Sequence, residues 1–166
     1  MIPDQRSGAS VSSPECPMCV IVAAPHEVAA EGYLVAELTS SVLLLGRNQA
    51  VSGYCMLIST RHVTELHHLP PPAAGAFVND LLVAAAAVET AFTPAKLNLE
   101  IQGNQIPHLH CHIKPRYPHD AAPGRRIPHD RPVRELTEQA YVNAVDALRR
   151  ALRSAQRQQS ERIAFG

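Results

Sequence analysis

Three histidines alternate with apolar residues in the stretch 107–117, and this pattern constrains the fold more than any other feature of the chain. His108, His110 and His112 stand at every second position, and the residues that follow each of them are apolar: Leu109, Cys111 and Ile113. A period of two predicts a strand with one polar and one apolar face. Three imidazoles on one face are costly to desolvate unless they bind something, so we expect a metal or catalytic site there.

Two kinds of chemistry use a row of imidazoles. Neutral ring nitrogens can coordinate a metal, or one ring nitrogen can attack a substrate as a nucleophile. Alternate residues on a strand lie roughly 6.5–7 Å apart, which is wide for three ligands on one small ion. The spacing favours a line in which the central His110 meets the substrate while a flanking ring lies beside the reacting group.

These residues carry a family resemblance. The stretch 107–117 resembles the His-φ-His-φ-His-φ signature of the histidine triad (HIT) superfamily, including the Pro-Arg-Tyr that often follows it. Residues 53–63 are similar to the family's Gly-His-x-Leu-Val-Ile-Pro-Lys-x-His-Val segment, and Cys16 and Cys19 resemble its N-terminal Cys-x-x-Cys. His112 keeps the hydrolase pattern, since relatives that resemble galactose-1-phosphate uridylyltransferase carry glutamine there.

Length and charge limit the class of protein. The 166 residues, of which 46% are hydrophobic, suit a single core, and 15 basic residues balance 15 acidic ones. A neutral chain has no overall attraction for nucleic acid or an anionic membrane, so a phosphate ligand must be held by local groups. The apolar run 81–88 is shorter than the roughly 20 residues of a membrane span, and residues 1–14 lack the apolar centre of a signal peptide.

The cysteines indicate the compartment. Two lie in a Cys-x-x-Cys and the other two, Cys55 and Cys111, lie in apolar strand patterns. This usage is typical of a reduced cytoplasmic protein rather than a disulfide framework. We therefore expect a cytoplasmic protein. The family resemblance implies a nucleotide-containing small-molecule substrate, and the balanced charge predicts no nucleic-acid or membrane partner.

Periodicity and turn signals divide the chain into a flexible tail (1–14), a HIT domain (15–118) and a C-terminal extension with one amphipathic helix (119–166). Strands are predicted at 33–38, 42–47, 54–60, 96–101 and 107–117, and helices at 16–24, 73–92 and 135–157. These elements predict an α+β fold in which a five-stranded antiparallel sheet packs with one long helix and a C-terminal helix. The resemblance implies the same sheet, commonly paired in a homodimer.

The last predicted helix has a basic second half. Its arginines could touch nucleic acid, but charge on the outer face of a helix is usual. We therefore interpret them as a solvated face: Arg149, Arg150, Arg153 and Arg157.

A metal site is predicted near the N-terminus. Cys16 and Cys19 have the spacing of structural zinc ligands, and a tetrahedral site needs two more. Candidates are His26, His62, His67, His68 and one triad histidine, while the alternative is a pair of reduced cysteines packed in a turn. In metal-binding members of the family the further ligands correspond to His62 and His108, so the resemblance implies a structural zinc. It implies no organic cofactor.

The resemblance also implies a mechanism. His110 would attack the α-phosphorus of a nucleoside phosphate conjugate, such as a dinucleoside polyphosphate or a nucleoside phosphoramidate, and water would hydrolyse the nucleotidyl-histidine. A carbonyl on a neighbouring strand is expected to accept the proton on the other nitrogen of His110. His112 would contact the α-phosphate or the bridging leaving atom. The alternatives are a non-catalytic nucleotide-binding or adaptor module with a structural zinc, and a hydrolase with a catalytic metal on the triad.

Substrate-binding residues are predicted beside the triad. Gln102, Gly103 and Asn104 form the turn that enters the triad strand, where backbone N–H and amide groups can reach phosphate oxygens. This turn is shorter than the Gly-rich loop of the family, which implies weak discrimination between leaving groups. Gly46 stands where the family offers Asp or Asn to the ribose, so Arg47 or Asn48 is expected to substitute for it.

Overall fold

The computed structural model describes residues 15–26, 31–122, 124–127 and 132–165, with side chains as far as residue 162. The predicted flexible tail, residues 1–14, lies outside the described residues. The proposed division between residues 118 and 119 stays a prediction.

Five strands form one antiparallel sheet. In the order β1-β2-β3-β5-β4 across the sheet, every neighbouring pair is antiparallel. The strands are β1 (Gly32–Glu37), β2 (Ser41–Gly46), β3 (Cys55–Ser59), β4 (Lys96–Ile101) and β5 (His110–Arg116). The predicted α+β class and the five-stranded antiparallel sheet are confirmed.

The triad strand is shorter than predicted. β5 begins at His110, so His108 stands just before it. The backbone N–H of His108 donates to the carbonyl of Ile106 at 2.8 Å, which is a local turn rather than a ladder bond. Only two of the three histidines therefore lie on the strand, and the first one is free to point elsewhere.

Both faces of the central strands are buried, which explains their continuous apolar runs. One face packs under the two long helices through residues that include Leu43, Leu57 and Leu109. The other face carries Met56 and Ile58 and packs against α1 (Pro17–Ala23). His110 and His112 stand on this second face, because they pair with Ile58 and Met56 in the ladder.

The two long helices differ from their predicted bounds. A short 3-10 turn (Leu66–His68) precedes α2 (Pro71–Phe92), which begins two residues early because proline is tolerated in the first helical turn. α3 (Glu138–Phe165) begins three residues late and ends at Phe165 rather than near Arg157. Thr137 precedes it and accepts a hydrogen bond from the N–H of Ala140, as an N-terminal cap does.

By length and composition alone, α2 could cross a membrane. In the fold it is a core helix, because Phe77, Ala84 and Val88 are fully buried under the sheet. Asp80 is also buried and accepts hydrogen bonds from the Ser40 N–H at 2.7 Å and the Ser41 hydroxyl at 2.8 Å. These contacts join the middle of α2 to the β1–β2 turn.

α3 covers one edge of the sheet. Tyr141, Leu148 and Leu152 bury the apolar face of α3 in the same core as α2. Arg149 is exposed, as expected of a solvated face, and it also donates to the carbonyls of Val35 and Leu34 at 3.0 and 2.9 Å. Its guanidinium satisfies edge carbonyls of β1 that a strand neighbour would otherwise use.

Candidate functional site

His108 faces away from the other two triad histidines. Its ring is fully buried, and its Nε2 lies 2.8 Å from the carbonyl oxygen of Ser59. Nε2 therefore carries the proton, which leaves the Nδ1 lone pair directed at Cys16 and Cys19. Burial lowers the pKa of His108, although the Ser59 carbonyl opposes this shift, so the ring is held in its neutral form.

Cys16, Cys19, His62 and His108 form a compact cluster that could hold a metal ion. Their ligand atoms all lie within 4.8 Å of one another. The Sγ–Nδ1 distances are 3.5 Å from Cys16 to His108, 3.2 Å from Cys19 to His62 and 3.6 Å from Cys19 to His108. A tetrahedral zinc bound by two thiolates and two imidazoles has ligand–ligand distances of about 3.3–3.8 Å, so the donors fit that ion.

The other candidate ligands lie apart from this cluster. His26 is exposed and pairs with Glu37 at 3.5 Å. His68 contacts the Thr64 hydroxyl at 3.0 Å, and its ring packs edge-on against His67. Within the described part of the chain, the two cysteines therefore meet the two histidines that the resemblance implied.

His110 is held by a carbonyl of its own segment. Its Nδ1 lies 2.6 Å from the carbonyl oxygen of His108, two residues back, so the expectation of an acceptor on a neighbouring strand is wrong. The neighbouring strand instead supplies the Ser59 carbonyl that holds His108. With the proton on Nδ1, the Nε2 lone pair of His110 is available in the cleft that this side chain lines.

His112 is held by Tyr54, a contact that sequence reasoning missed. The Tyr54 hydroxyl lies 2.7 Å from His112 Nδ1, and the two rings are nearly parallel. Burial raises the pKa of Tyr54, so the phenol keeps its proton and can donate it to Nδ1. The His112 ring meets the His110 ring edge-on, with 4.8 Å between centroids. The signal in the sequence was Tyr54 itself, which stands where the similar segment has histidine.

The Tyr54 ring leaves no room for a side chain at position 46, which is glycine. A Cβ at position 46 would lie 2.5 Å from Cδ1 of the Tyr54 ring, closer than side chains approach. The ring thus occupies the space that a side chain at position 46 would need. An Asp or Asn at position 46 would clash with the Tyr54 ring. A side chain that contacts a sugar would therefore have to come from another position.

A cleft of about 540 Å³ lies beside His110 and His112. All four predicted substrate-binding residues line it: Gln102, Gly103, Asn104 and Asn48. Gly103 has a φ of +72°, which a glycine adopts without strain, and Gln102 donates to Glu100 at 2.9 Å. Asn48 uses its Oδ1 to accept from the Ala50 and Arg134 N–H groups, both at 3.0 Å, so this oxygen holds backbone in place.

Sequence reasoning missed several residues of the cleft. Met18, Met56 and Ile106 add apolar surface, and three further side chains line the cleft: Glu31, Val133 and Glu135. Arg47, which the sequence predicts as a substitute at position 46, also lines it. No local pattern identifies Val133 or Glu135, because they reach the cleft through contacts between residues about 85 positions apart. The pairing of Arg134 with Asn48 is visible only in three dimensions.

The fold and the site together define a class: an α+β domain whose sheet presents two imidazoles to a cleft, beside a cluster of two cysteines and two histidines that is buried except at His62. The family model described as the HIT domain matches residues 29–119, more than half of the chain. The protein therefore belongs to the HIT family.

Solved structures of this family share the fold. A histidine triad protein from Bradyrhizobium japonicum is 23% identical, with a TM-score of 0.69 over 74% of this chain and 91% of that one. One from Marinobacter aquaeolei is 21% identical, with a TM-score of 0.70 over 78% and 95%. A zinc-bound family member from Mycobacterium smegmatis is 23% identical, with a TM-score of 0.60 over 87% and 97%. A comparison with curated sequences finds no significant match.

Proposed function

We propose that this protein is a hydrolase, or a nucleotidyl transferase, acting at the α-phosphate of nucleoside phosphate conjugates through a nucleotidyl-histidine on His110. The observation that carries the proposal is the 2.6 Å contact between His110 Nδ1 and the His108 carbonyl. This contact keeps the proton on Nδ1 and leaves Nε2 as an unprotonated nucleophile in the cleft. Dinucleoside polyphosphates and nucleoside phosphoramidates are substrates of the right chemistry.

The reaction divides into two displacements. His110 Nε2 forms a bond to the α-phosphorus as the bond from phosphorus to the leaving oxygen or nitrogen breaks. The leaving atom takes the electron pair and accepts a hydrogen bond from the Nε2–H of His112, and a leaving nitrogen takes its proton from solvent. In the second step, water or another acceptor attacks the same phosphorus, releases its proton to solvent, and breaks the bond to His110 Nε2, which recovers its lone pair.

Tyr54 gives His112 the tautomer that this hydrogen bond needs. A phenol that donates to Nδ1 leaves the ring proton of His112 on Nε2. The His112 ring packs edge-on against the His110 ring, so both rings can contact the α-phosphate and its leaving atom. The turn residues Gln102, Gly103 and Asn104 line the same cleft, where their N–H groups would donate to phosphate oxygens.

Zinc is proposed as a structural ion. Cys16, Cys19, His62 and His108 would hold it and would complete its tetrahedron, so no position is open to substrate. When bound, the ion supplies a crosslink between α1 and the two chain segments beside β3 and β5. His108 contributes through the Ser59 carbonyl, which orients its ring as carbonyls commonly do for metal-bound histidines.

Two other functions are weighed against this one. A catalytic metal on the triad is disfavoured because both nitrogens of His108 are engaged away from His110 and His112. A non-catalytic nucleotide-binding or adaptor module would need the cleft but not the nucleophile. The held tautomers of His110 and His112 favour the enzyme, since simple binding does not require them.

We also propose a homodimer in the cytoplasm. β4 ends the sheet with β5 as its one strand neighbour among the described residues, and Leu99 and Ile101 of β4 are exposed. A strand edge with apolar side chains is suited to pairing with a second copy. The formal net charge of zero gives no support to a nucleic-acid or membrane partner.

The proposal is tested with a panel of dinucleoside polyphosphates, adenosine phosphoramidates and nucleotide sugars. We expect the wild-type protein to hydrolyse several of them with kcat/KM values within about 10–200-fold, since the short 102–106 turn makes few leaving-group contacts. His110→Ala should abolish turnover while nucleotide binding and the melting temperature are kept. Near-wild-type turnover by His110→Ala would exclude it as the nucleophile, and inactivity of the wild type on the whole panel would favour the binding module.

A further inference from the structure

His112, the ring that meets the leaving atom in the proposed reaction, is itself bonded by Tyr54. The phenol oxygen lies 2.7 Å from His112 Nδ1, and the planes of the two rings are only 21° apart. Gly46 leaves the phenol ring its place, since a Cβ there would lie 2.5 Å from it. Both Tyr54 and His112 line the cleft, so their contact is part of its wall.

The phenol is the donor in this contact. Burial raises the pKa of Tyr54, so the hydroxyl keeps its proton. Among the described residues, His112 Nδ1 is the one hydrogen-bond partner of this hydroxyl. A hydroxyl proton that pointed elsewhere would be left unpaired, which is unfavourable away from water. The Nδ1 lone pair of His112 is therefore occupied, and the ring carries its single proton on Nε2.

An imidazole in this state donates a hydrogen bond but is a poor acid. Release of the Nε2 proton would leave an imidazolate anion. A second proton on Nδ1 would break the bond from Tyr54 and leave the phenol O–H unpaired. The penalty for such an unpaired donor corresponds to roughly 10-fold to 100-fold in an equilibrium constant. His112 is therefore suited to stabilise a leaving anion and not to supply it with a proton.

The strands on either side of His112 bring no acid to the leaving atom. On the β4 side, Glu100 lies opposite His112 in the ladder and accepts from Lys114 Nζ and Gln102 Nε2, each at 2.9 Å. Lys114 is buried in this ion pair and does not line the cleft. On the β3 side the ladder neighbour is Met56, which has no proton to give.

The rest of the described cleft offers no acid either. Three further charged side chains line it: Glu31, Arg47 and Glu135. Carboxylates accept hydrogen bonds, and a guanidinium does not release its protons. His110 uses its Nδ1 proton in the bond to the His108 carbonyl, and α1 contributes the apolar Met18. Within the described part of the chain, a proton for the leaving atom therefore comes from solvent.

Two kinds of leaving group make different demands on such a site. An oxygen that departs as a phosphate or phenolate anion keeps the electron pair of the broken P–O bond and needs no proton. A nitrogen that departs as an amine must gain one proton as the P–N bond breaks, and an enzyme normally supplies it from a positioned acid. The two kinds of substrate should therefore differ in rate here.

We propose that Tyr54 makes the site selective for substrates whose leaving oxygen departs as an anion, such as phosphoanhydrides of nucleotides, over phosphoramidates. This inference deepens the proposed function and rests on it. In the selected reaction His110 Nε2 bonds the α-phosphorus, the P–O bond breaks, and the oxygen keeps the electron pair while it accepts a hydrogen bond from His112 Nε2–H. Tyr54 acts through His112, so it is a positioning residue.

The test uses two isosteric substrates, the para-nitrophenyl ester and the para-nitroanilide of adenosine 5′-monophosphate, which differ only in the leaving atom. For the wild-type protein we expect a kcat/KM for the ester about 10-fold to 100-fold above that for the anilide. This ratio should rise with pH, because the anilide draws its proton from solvent. The ratio cancels every factor that the two reactions share, including the state of His110.

Three variants separate the role of Tyr54 from a structural one. Tyr54→His supplies an imidazole that can accept a proton from His112 Nδ1, so His112 can act as an acid and the ratio should fall about tenfold. Tyr54→Phe removes the donor without supplying an acceptor, so both substrates should slow and the ratio should stay within about threefold. Tyr117→His is the matched control, because the Tyr117 hydroxyl bonds the Ser52 carbonyl at 3.1 Å and does not line the cleft.

A wild-type ratio near one, a ratio that does not change with pH, or an unchanged ratio in Tyr54→His would overturn the inference. If the melting temperature shows that Tyr54→His does not fold, the pH dependence of the wild-type ratio decides. Equal cleavage of both substrates that is lost in His110→Ala contradicts the selectivity and leaves the proposed function intact. Selective cleavage that survives in His110→Ala contradicts the nucleotidyl-histidine and leaves the selectivity intact, and cleavage of neither substrate contradicts both.

Discussion

Tyr54 and Gly46 act as one steric and chemical unit. The Tyr54 ring fills the space above Gly46, with 2.5 Å from Cδ1 to an added Cβ, and its hydroxyl reaches His112 at 2.7 Å. A larger residue at position 46 would push the ring away and break the contact with His112. The choice of tyrosine at position 54 therefore affects both the hydrogen-bond donor that faces the leaving atom and the space available at position 46.

The hydroxyl of Tyr54 is predicted to matter more for turnover than for binding. Tyr54→Phe keeps the ring over Gly46 but removes the donor that sets the His112 tautomer, so we expect kcat to fall about fivefold to thirtyfold with little change in KM. Steady-state kinetics on the best panel substrate measure this. Tyr117→Phe is the control, because the Tyr117 hydroxyl bonds the Ser52 carbonyl at 3.1 Å and does not line the cleft. An unaltered kcat in Tyr54→Phe would remove the proposed role.

Among the elements, α1 depends most on contacts outside itself. It has seven residues, too few to be stable alone, and it presents Met18 and Ile21 to the second face of the sheet. Cys16 immediately precedes it and Cys19 lies within it. A metal bound by these cysteines and by His62 and His108 would hold α1 where Met18 lines the cleft.

Metal analysis tests the proposed zinc site at α1 directly. Protein purified without chelator should contain close to one zinc per chain, and Cys16→Ser should lose most of it together with several degrees of melting temperature, because metal binding is coupled to folding. Cys55→Ala is the matched control, since Cys55 is buried in β3 away from the cluster and should keep the zinc. Wild-type protein without bound metal would contradict the assignment.

The elements and the triad could be predicted because their signals are local. Alternation identified the triad strand, and short runs of apolar and β-favouring residues identified the others. Cys-x-x-Cys indicated a metal site, and the family resemblance supplied His62 and His108 as its further ligands. Three features depend on long-range contacts and had no such signal. The Ser59 carbonyl turns His108 toward the cysteines, Asn48 docks the segment before α3, and Arg149 reaches the edge of β1. Each results from packing between parts of the chain that no sequence period connects.

At the scale of the whole molecule, the two edges of the sheet differ in how far other parts of the chain cover them. The β1 edge is covered by Arg149 from α3, while β4 presents Leu99 and Ile101 with 44% and 39% of their surfaces exposed. α2 contacts β4 and adds Val78 and Leu82 to the exposed apolar side chains. This asymmetry supports the proposal that a second copy pairs along β4.

We expect the purified protein to be a dimer by sedimentation or light scattering. Leu99→Glu should shift it to monomer, because a charge buried in an apolar interface is costly. Val142→Glu is the control, since Val142 is equally exposed at 45% but lies on α3, and it should leave the dimer unchanged. A wild-type monomer, or a dimer that Leu99→Glu does not weaken, would contradict pairing through β4.

The central claim is that the reaction passes through a nucleotidyl-histidine on His110, and the stereochemistry at phosphorus tests it most directly. The measurement hydrolyses one diastereomer of a substrate whose α-phosphorus carries sulfur, in water enriched in oxygen-18, and then determines the configuration of the product. Two successive in-line displacements, first by His110 and then by water, each invert the phosphorus, so the account predicts net retention. Net inversion would show a single direct attack by water and would contradict the account.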